Sequence, residues 1–378
     1  MMNLPALVDV KRGKATVKMA QIRVLVVDES VYMQRLLKLI LESDPEITVI
    51  DTASDGDEAL AKVKASHPDV VTLAINMPIM VGLTSLANIM TECPTSTVVI
   101  SSINKECELV TFEALQLGAV DYFLMPGGSI DGGLHEQLDE VVSKVRVAAK
   151  ACLRRLEKPK RRRPGSMVPM NQPLFRSNWG VDNIPLVAIG VSTGGPRTLL
   201  EIIPELPVDF PAPIVIVQQM PPNFTASFAE RLNHESQIRV KEAVQGETLT
   251  PGCAYVAPGG YQLSLARRVT GSGTVVRLNK QGAEQSICPS VNVLFHSVAQ
   301  VFGSRSVGVL LSGIGDDGAD GMLAIHQAGG RTIAESEETA IIYGMPREAI
   351  ERGGVSMVLP YQKIVEQIQI EVRRMIDG

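Results

Sequence analysis

The chain has 378 residues, a formal net charge of −5, 45% hydrophobic and 20% charged residues. That length exceeds one ordinary domain, and the composition is that of soluble globular proteins with no general attraction for nucleic acid or membrane surfaces. Five scattered cysteines, odd in number and without a CxxC pair, argue against a zinc or disulfide framework and for free thiols in a reducing, cytoplasmic setting.

Residues 1–21 contain Lys11, Arg12, Lys14 and Lys18 but no long apolar core, so they read as a loose extension rather than a signal peptide. No run approaches the ~18 apolar residues of a membrane span. From Ile22 the chain alternates strand and helix. Strand candidates are Val24–Val27, Thr48–Asp51, Val70–Leu73, Thr97–Ile100 and Val120–Phe123, with amphipathic stretches such as Tyr32–Leu41 and Glu58–Ala65 between them. Aromatics make up only 4% of the chain, and a Val/Ile/Leu/Ala core suits buried parallel strands. Residues 22–145 are therefore predicted to be an α/β domain, a doubly wound five-stranded parallel sheet. Its last helix is expected over about Leu134 to Leu156.

Residues 146–184 carry that helix end and a basic cluster, Lys158, Lys160, Arg161, Arg162 and Arg163, followed by prolines and polar residues. This is linker chemistry, with little to bury and self-repelling charge. A second α/β block is predicted over 185–376, with strands at Leu186–Val191, Pro213–Val217, Ala254–Ala257, Gln262–Ala266, Thr274–Leu278 and Val307–Leu311. Two of these flank Gly271-Ser272-Gly273, so an antiparallel hairpin is expected to join a mostly parallel sheet.

The first block ends its first strand in Asp28 and Glu29. Adjacent carboxylates at a strand's C-terminal end can hold a divalent cation, or Asp28 or Ser30 can simply cap the next helix. Val24-Leu-Val-Val-Asp28-Glu29-Ser30, Asp69 to Pro78, Val98 to Ser102 and Gly118 to Phe123 together resemble the response-regulator receiver domain, a flavodoxin-like fold. That resemblance implies an aspartate phosphoacceptor after the third strand, a magnesium-holding acidic pair, a hydroxyl after the fourth strand and a lysine after the fifth. Asp28 and Glu29 match the acidic pair and Ser101 the hydroxyl, but Ala74 stands at the acceptor position and Met125 at the lysine position. Phosphoryl transfer needs a carboxylate oxygen and a neutralising cation. No phosphorylation switch and no cofactor, Mg2+ at Asp28/Glu29 included, are therefore expected; Asp51 and Asp55 are the alternative acceptors.

In the second block Gly190-Val191-Ser192-Thr193-Gly194-Gly195-Pro196 follows an apolar strand and opens a helix. A serine on such a bend presents its hydroxyl at the sheet's edge beside free helix N–H groups, as a nucleophile or as a plain cap. The glycines match neither GxGxxG nor GxxxxGK[ST], so a nucleotide loop is disfavoured. This segment, with Gln218-Gln219-Met220-Pro221, Ala257 to Gly260, Cys288 to Phe295, Ser312 to Met322 and Gly344 to Ala349, resembles the catalytic domain of the chemotaxis protein-glutamate methylesterase, the CheB type.

The resemblance implies a Ser-His-Asp triad that removes methyl groups from receptor glutamates and deamidates receptor glutamines, with the receiver packed over the site. It assigns Ser192 as nucleophile, Thr193 as its neighbour and Asp317 as the orienting acid. The base position is Gln219. A carboxamide has no titratable nitrogen near neutral pH, so it cannot shuttle a proton. Gln262 and Asn292 also depart from the usual histidine and aspartate. No histidine lies in a matched catalytic segment, and His296, on an apolar helical face, reads as a core residue. The expected function is a methylesterase relative of impaired or absent activity. Its partners would be methyl-accepting receptors and the chemotaxis kinase, and it would be a monomer that meets the membrane only through receptors. The alternative is an active esterase using Ser192 and Asp317 with a non-standard base.

Overall fold

Strands that are apolar on both faces must lie between layers of helices, because a parallel sheet has no solvent face to spare. A computed structural model describes residues 21–75, 79–102, 105–125, 134–151, 184–222, 224–269, 271–280 and 287–377. The first domain runs β1 (Ile22–Val27), α1 (Val31–Leu41), β2 (Ile47–Ala53), α2 (Gly56–Ser66), β3 (Val70–Ala74), α3 (Ile79–Glu92), β4 (Ser96–Ser102), α4 (Lys105–Leu117), β5 (Asp121–Met125) and α5 (Leu134–Ala148). Its five strands are parallel in the order β2-β1-β3-β4-β5. Helix α5 ends at Ala148, eight residues short of the expected Leu156. Its buried stripe Val141, Val145 and Ala148 stops there, and the bonds Lys150 N–Val147 O and Ala151 N–Ala148 O tighten the chain out of the helix. The expected N-terminal extension and the basic cluster Lys158 to Arg163 lie outside the described residues.

The second domain runs β6 (Leu186–Val191), α6 (Gly195–Ile202), β7 (Ile214–Gln218), α7 (Phe224–Glu235), β8 (Arg239–Glu242), β9 (Cys253–Val256), β10 (Tyr261–Arg267), β11 (Thr274–Lys280), α8 (Val291–Phe302), β12 (Ser306–Leu310), α9 (Ala319–Gln327), β13 (Arg331–Glu335), α10 (Met345–Glu351), β14 (Met357–Leu359) and α11 (Tyr361–Asp377). Seven strands form one parallel sheet, β14-β13-β12-β6-β7-β9-β8. Strand β6 has β12 on one side and β7 on the other, so the order reverses at β6 and leaves a crevice at its C-terminal end.

Two expectations need correction here. The hairpin β10–β11 is antiparallel, as expected, but forms its own two-stranded sheet; an isolated bridge, Thr248 to Val275, pairs it with a loop. It packs on α8, whose Ser297 Oγ accepts from Leu265 N at 3.0 Å. His296 is exposed on that helix, not a core residue, because its neighbours Phe295 and Ser297 take the inward positions.

The two domains share one apolar core. Phe112 of α4 meets Phe224 at 6.0 Å and Phe228 at 5.5 Å, both on α7, and Tyr122 of β5 stacks on Phe224 at 5.3 Å and 12°. Polar contacts ring this seam: Ser227 donates to Glu108, and Arg231 to Gln116 at 3.2 Å. On the sheet's other face the first domain's core takes in Ile341, with Ile342 and Met125 packed at its edge. The receiver is thus docked, as the resemblance implied. Truncating Phe112 removes aromatic area from both domains at once. Phe112→Ala should cost about 3–5 kcal/mol, seen in urea unfolding as a lower midpoint and separated transitions for the two domains.

Candidate active site

Three strand ends meet at the crevice. Ser192 follows β6, Gln219 follows β7, and the loop carrying Asp317 follows β12. The Ser192 bend is fixed from all sides by its own backbone. Ser192 N donates to Ser312 O at 3.0 Å, Gly195 N to Ser192 O at 2.9 Å, and the buried Gln218 side chain donates to Ser192 O at 3.0 Å. Gly194 adopts φ +81°, and the nearby Ile341 Cβ lies 2.9 Å from where its own Cβ would sit, so both conformation and space require glycine there.

Asp317 is only 5% exposed. Each of its oxygens accepts two bonds. Ser290 Oγ and Asn292 N reach Oδ1 at 2.8 and 3.0 Å; Val291 N and Gln219 Nε2 reach Oδ2 at 2.7 and 2.8 Å. Two of these donors are free N–H groups at the start of α8, where an anion is favoured. Sequence reading gave no role to these donors, since two are backbone groups and the third, Ser290, looks like an ordinary N-cap. Ser290 is that cap as well, accepting from Val293 N.

Gln219 is held beside the Ser192 bend by its backbone N, which donates to Val191 O at 3.1 Å, and its side chain donates to the acid as an imidazole N–H would. Gln262 and Asn292 serve the frame: Gln262 Oε1 accepts from Ser290 N at 2.8 Å, and Asn292 Oδ1 from Gly321 N at 2.8 Å. Thr193 is turned away from Asp317. Its hydroxyl donates to Asp121 Oδ2 of the first domain at 3.1 Å, and Asp121 is also paired with Lys144 at 3.3 Å. Arg352 bonds Asp316 and Asp320 on either side of Asp317 and pins that glycine-rich loop from outside. Among the described residues no histidine bonds to Ser192 or Asp317; His326 contacts Ser356, and His234 faces Glu235.

In the first domain the described residues at the strand ends include Ala74, Asp28, Glu29 and Ser101. Ala74 closes β3 with a methyl group and is 4% exposed. Asp28 is buried and accepts from Ser30 N at 2.8 Å, while Glu29 is exposed. Ser30, not Asp28, caps α1. Ser101 is fully buried and accepts from Thr111 Oγ1 at 3.0 Å. No group of three His, Cys, Asp or Glu side chains suited to a metal occurs among the described residues. Magnesium prefers several oxygens in near-octahedral array; Ala74, in the acceptor's place, contributes none of them. Met125 packs against the first domain's apolar core, the cluster that also takes in Ile341, and brings no cation to the position.

Burial raises the pKa of Asp28 above the ordinary carboxylate value; the Ser30 N–H opposes this, and Glu29 adds to it. A raised folded-state pKa means that the native state holds the proton more tightly. Stability is then lost as pH rises from the unfolded value, about 3.9, through the folded one. Asp28→Asn should therefore raise the melting temperature at neutral pH, with the gain vanishing below about pH 4; thermal scans across pH test this.

The CheB methylesterase family matches residues 187–368, and the response regulator receiver domain matches residues 24–129. A protein-glutamate methylesterase/protein-glutamine glutaminase of Caldanaerobacter subterraneus subsp. tengcongensis is 48% identical over 351 residues, 91% of this chain and 95% of that relative. A second, from Carboxydothermus hydrogenoformans, is 48% identical over 357 residues, 94% of this chain and all (100%) of the relative. Among solved structures, the Thermotoga maritima CheB methylesterase catalytic domain is 42% identical, covering 49% of this chain and 97% of that domain, with a TM-score of 0.47. The chain belongs to the CheB methylesterase family, with a receiver domain ahead of its methylesterase domain.

Proposed function

We propose that this chain is a non-hydrolytic member of its family, which acts by binding chemotaxis receptors or signalling partners through inherited surfaces and is not switched by phosphorylation. The observation that carries this reading is the bond from Gln219 Nε2 to Asp317 Oδ2 at 2.8 Å. A histidine there would donate one ring N–H to the acid and use its other nitrogen to take the serine proton and return it to the leaving group. Gln219 reproduces the first half of that arrangement. Its remaining atom is an amide oxygen, which cannot hold a proton near neutral pH. Loss of a single nucleophile or base from such a triad lowers turnover on the order of a millionfold in another hydrolase.

The first domain supports the same reading from independent chemistry. Position 74 offers a methyl group for a phosphate acceptor and position 125 a thioether for the pairing cation. The alternative acceptors are engaged elsewhere: Asp51 pairs with Lys62 at 3.0 Å, and Asp55 accepts from Glu58 N at 2.9 Å to cap α2.

Methanol release from methylated receptor should be measured for the wild-type chain, Gln219→His and Ser192→Ala. Wild type is expected to match Ser192→Ala, while Gln219→His gains at least about a thousandfold. Turnover by wild type that disappears in Ser192→Ala would overturn the reading. In a parallel assay, incubation with phosphorylated chemotaxis kinase should leave no acid-stable or acid-labile label on the chain, as read by intact mass.

A further inference from the structure

We propose that Ser356 and His326 form a second nucleophilic site, at the far end of the sheet from Ser192, that takes acyl groups from activated esters. Ser356 immediately precedes β14, and its neighbour Thr332 is the second residue of β13, so both lie where these parallel strands begin. Ser192, Gln219 and Asp317 follow strand ends instead. The two sites share no residue, and this one does not depend on what the crevice does.

The chain brings the pair together by a close approach. Gly354, in the turn before β14, lies against α9: a Cβ there would stand 2.6 Å from Leu323 N and 2.9 Å from Leu323 Cα. The missing side chain lets the turn reach the helix backbone just ahead of His326, which sits in the last turn of α9. His326 Nδ1 and Ser356 Oγ are 3.2 Å apart, and Ser356 Oγ lies 3.0 Å from Thr332 Oγ1. Thr332 settles which hydroxyl donates. It is fully buried, and its oxygen already accepts from Ser356 N at 2.8 Å. Its hydrogen has one acceptor among the described residues, Ser356 Oγ. Ser356 Oγ therefore accepts from Thr332 and turns its own hydrogen toward His326 Nδ1, while the ring's other nitrogen carries the imidazole proton.

A serine O–H held within bonding reach of an imidazole nitrogen is the signature of an activated nucleophile. Both side chains are exposed, so a small ester can reach them. In the step, Ser356 Oγ bonds to the ester carbonyl carbon as its proton passes to His326 Nδ1. The bond from that carbon to the leaving oxygen then breaks, the departing alcohol or phenol takes the proton, and the acyl group stays on Ser356 until water removes it. Among the described residues no carboxylate bonds the second ring nitrogen of His326. Without that orienting group the pair is weaker than a full triad, which limits it to esters with good leaving groups. Methanol is a poor one, so receptor methyl esters fall outside its reach.

The full-length chain should be incubated with p-nitrophenyl acetate and the acetylated residues located by peptide mass mapping over time. Acetyl is expected on Ser356 in wild type and, at the same rate, in Ser192→Ala. His326→Gln should slow its appearance by about a hundredfold, the scale of lost general-base help. Ser356→Ala should abolish it, and urea midpoints check that both variants, at exposed positions, remain folded. Acetyl confined to lysines or to Ser192, or equal rates at Ser356 in wild type and His326→Gln, would overturn the inference.

Discussion

The site depends on one buried carboxylate and the need to satisfy it. Asp317 cannot be left in the interior as an unpaired charge, since an isolated buried carboxylate is strongly penalised. Its four bonds draw together the β12 loop, the start of α8 and the residue after β7. A donor at position 219 is therefore favoured, since it supplies one of the four bonds. Glutamine meets that structural demand as histidine would, so the frame around Asp317 needs no titratable group at position 219.

The first domain shows the same separation of fold from chemistry. A methyl group at position 74 is at home in a strand whose five residues are all buried. Met125, placed where a lysine would need solvation or a partner, extends the apolar layer that receives Ile341 and Ile342. The domain contact then combines an aromatic seam ringed by the Ser227–Glu108 and Arg231–Gln116 bonds, an apolar layer and the Thr193–Asp121 bond.

How far this was legible in the sequence depends on what signals each element. Strands β1, β3, β4, β6, β7 and β12 were visible because each holds a continuous apolar run that is buried on both faces, whereas β2, with Asp51 exposed, showed itself by its isoleucines and valine. The strands β8, with Arg239 and Lys241, β13, with Arg331 and Glu335 at its ends, and β14, only three residues long, lack that signature and went unmarked. The hairpin was found from its glycines, but nothing local said that it would stand apart from the main sheet. Ser192, Gln219 and Asp317 were singled out by motif, and the strand order that brings them together is a tertiary fact. The partners of Asp317 were hidden because backbone N–H groups have no letter in a sequence. Thr193 looked like part of the site, and its bond across to Asp121 depends on a docking geometry that no spacing encodes.

Gly313 lies beneath the serine. A Cβ there would stand 2.9 Å from the Ser192 Cβ and would collide with Met345. The glycine floor, the serine bend and the Met345 helix start are therefore one packing unit, in which a change to any member must be absorbed by the others. The packing therefore asks for a small side chain at position 192 and a glycine at 313, and leaves the Ser192 hydroxyl outside its demands.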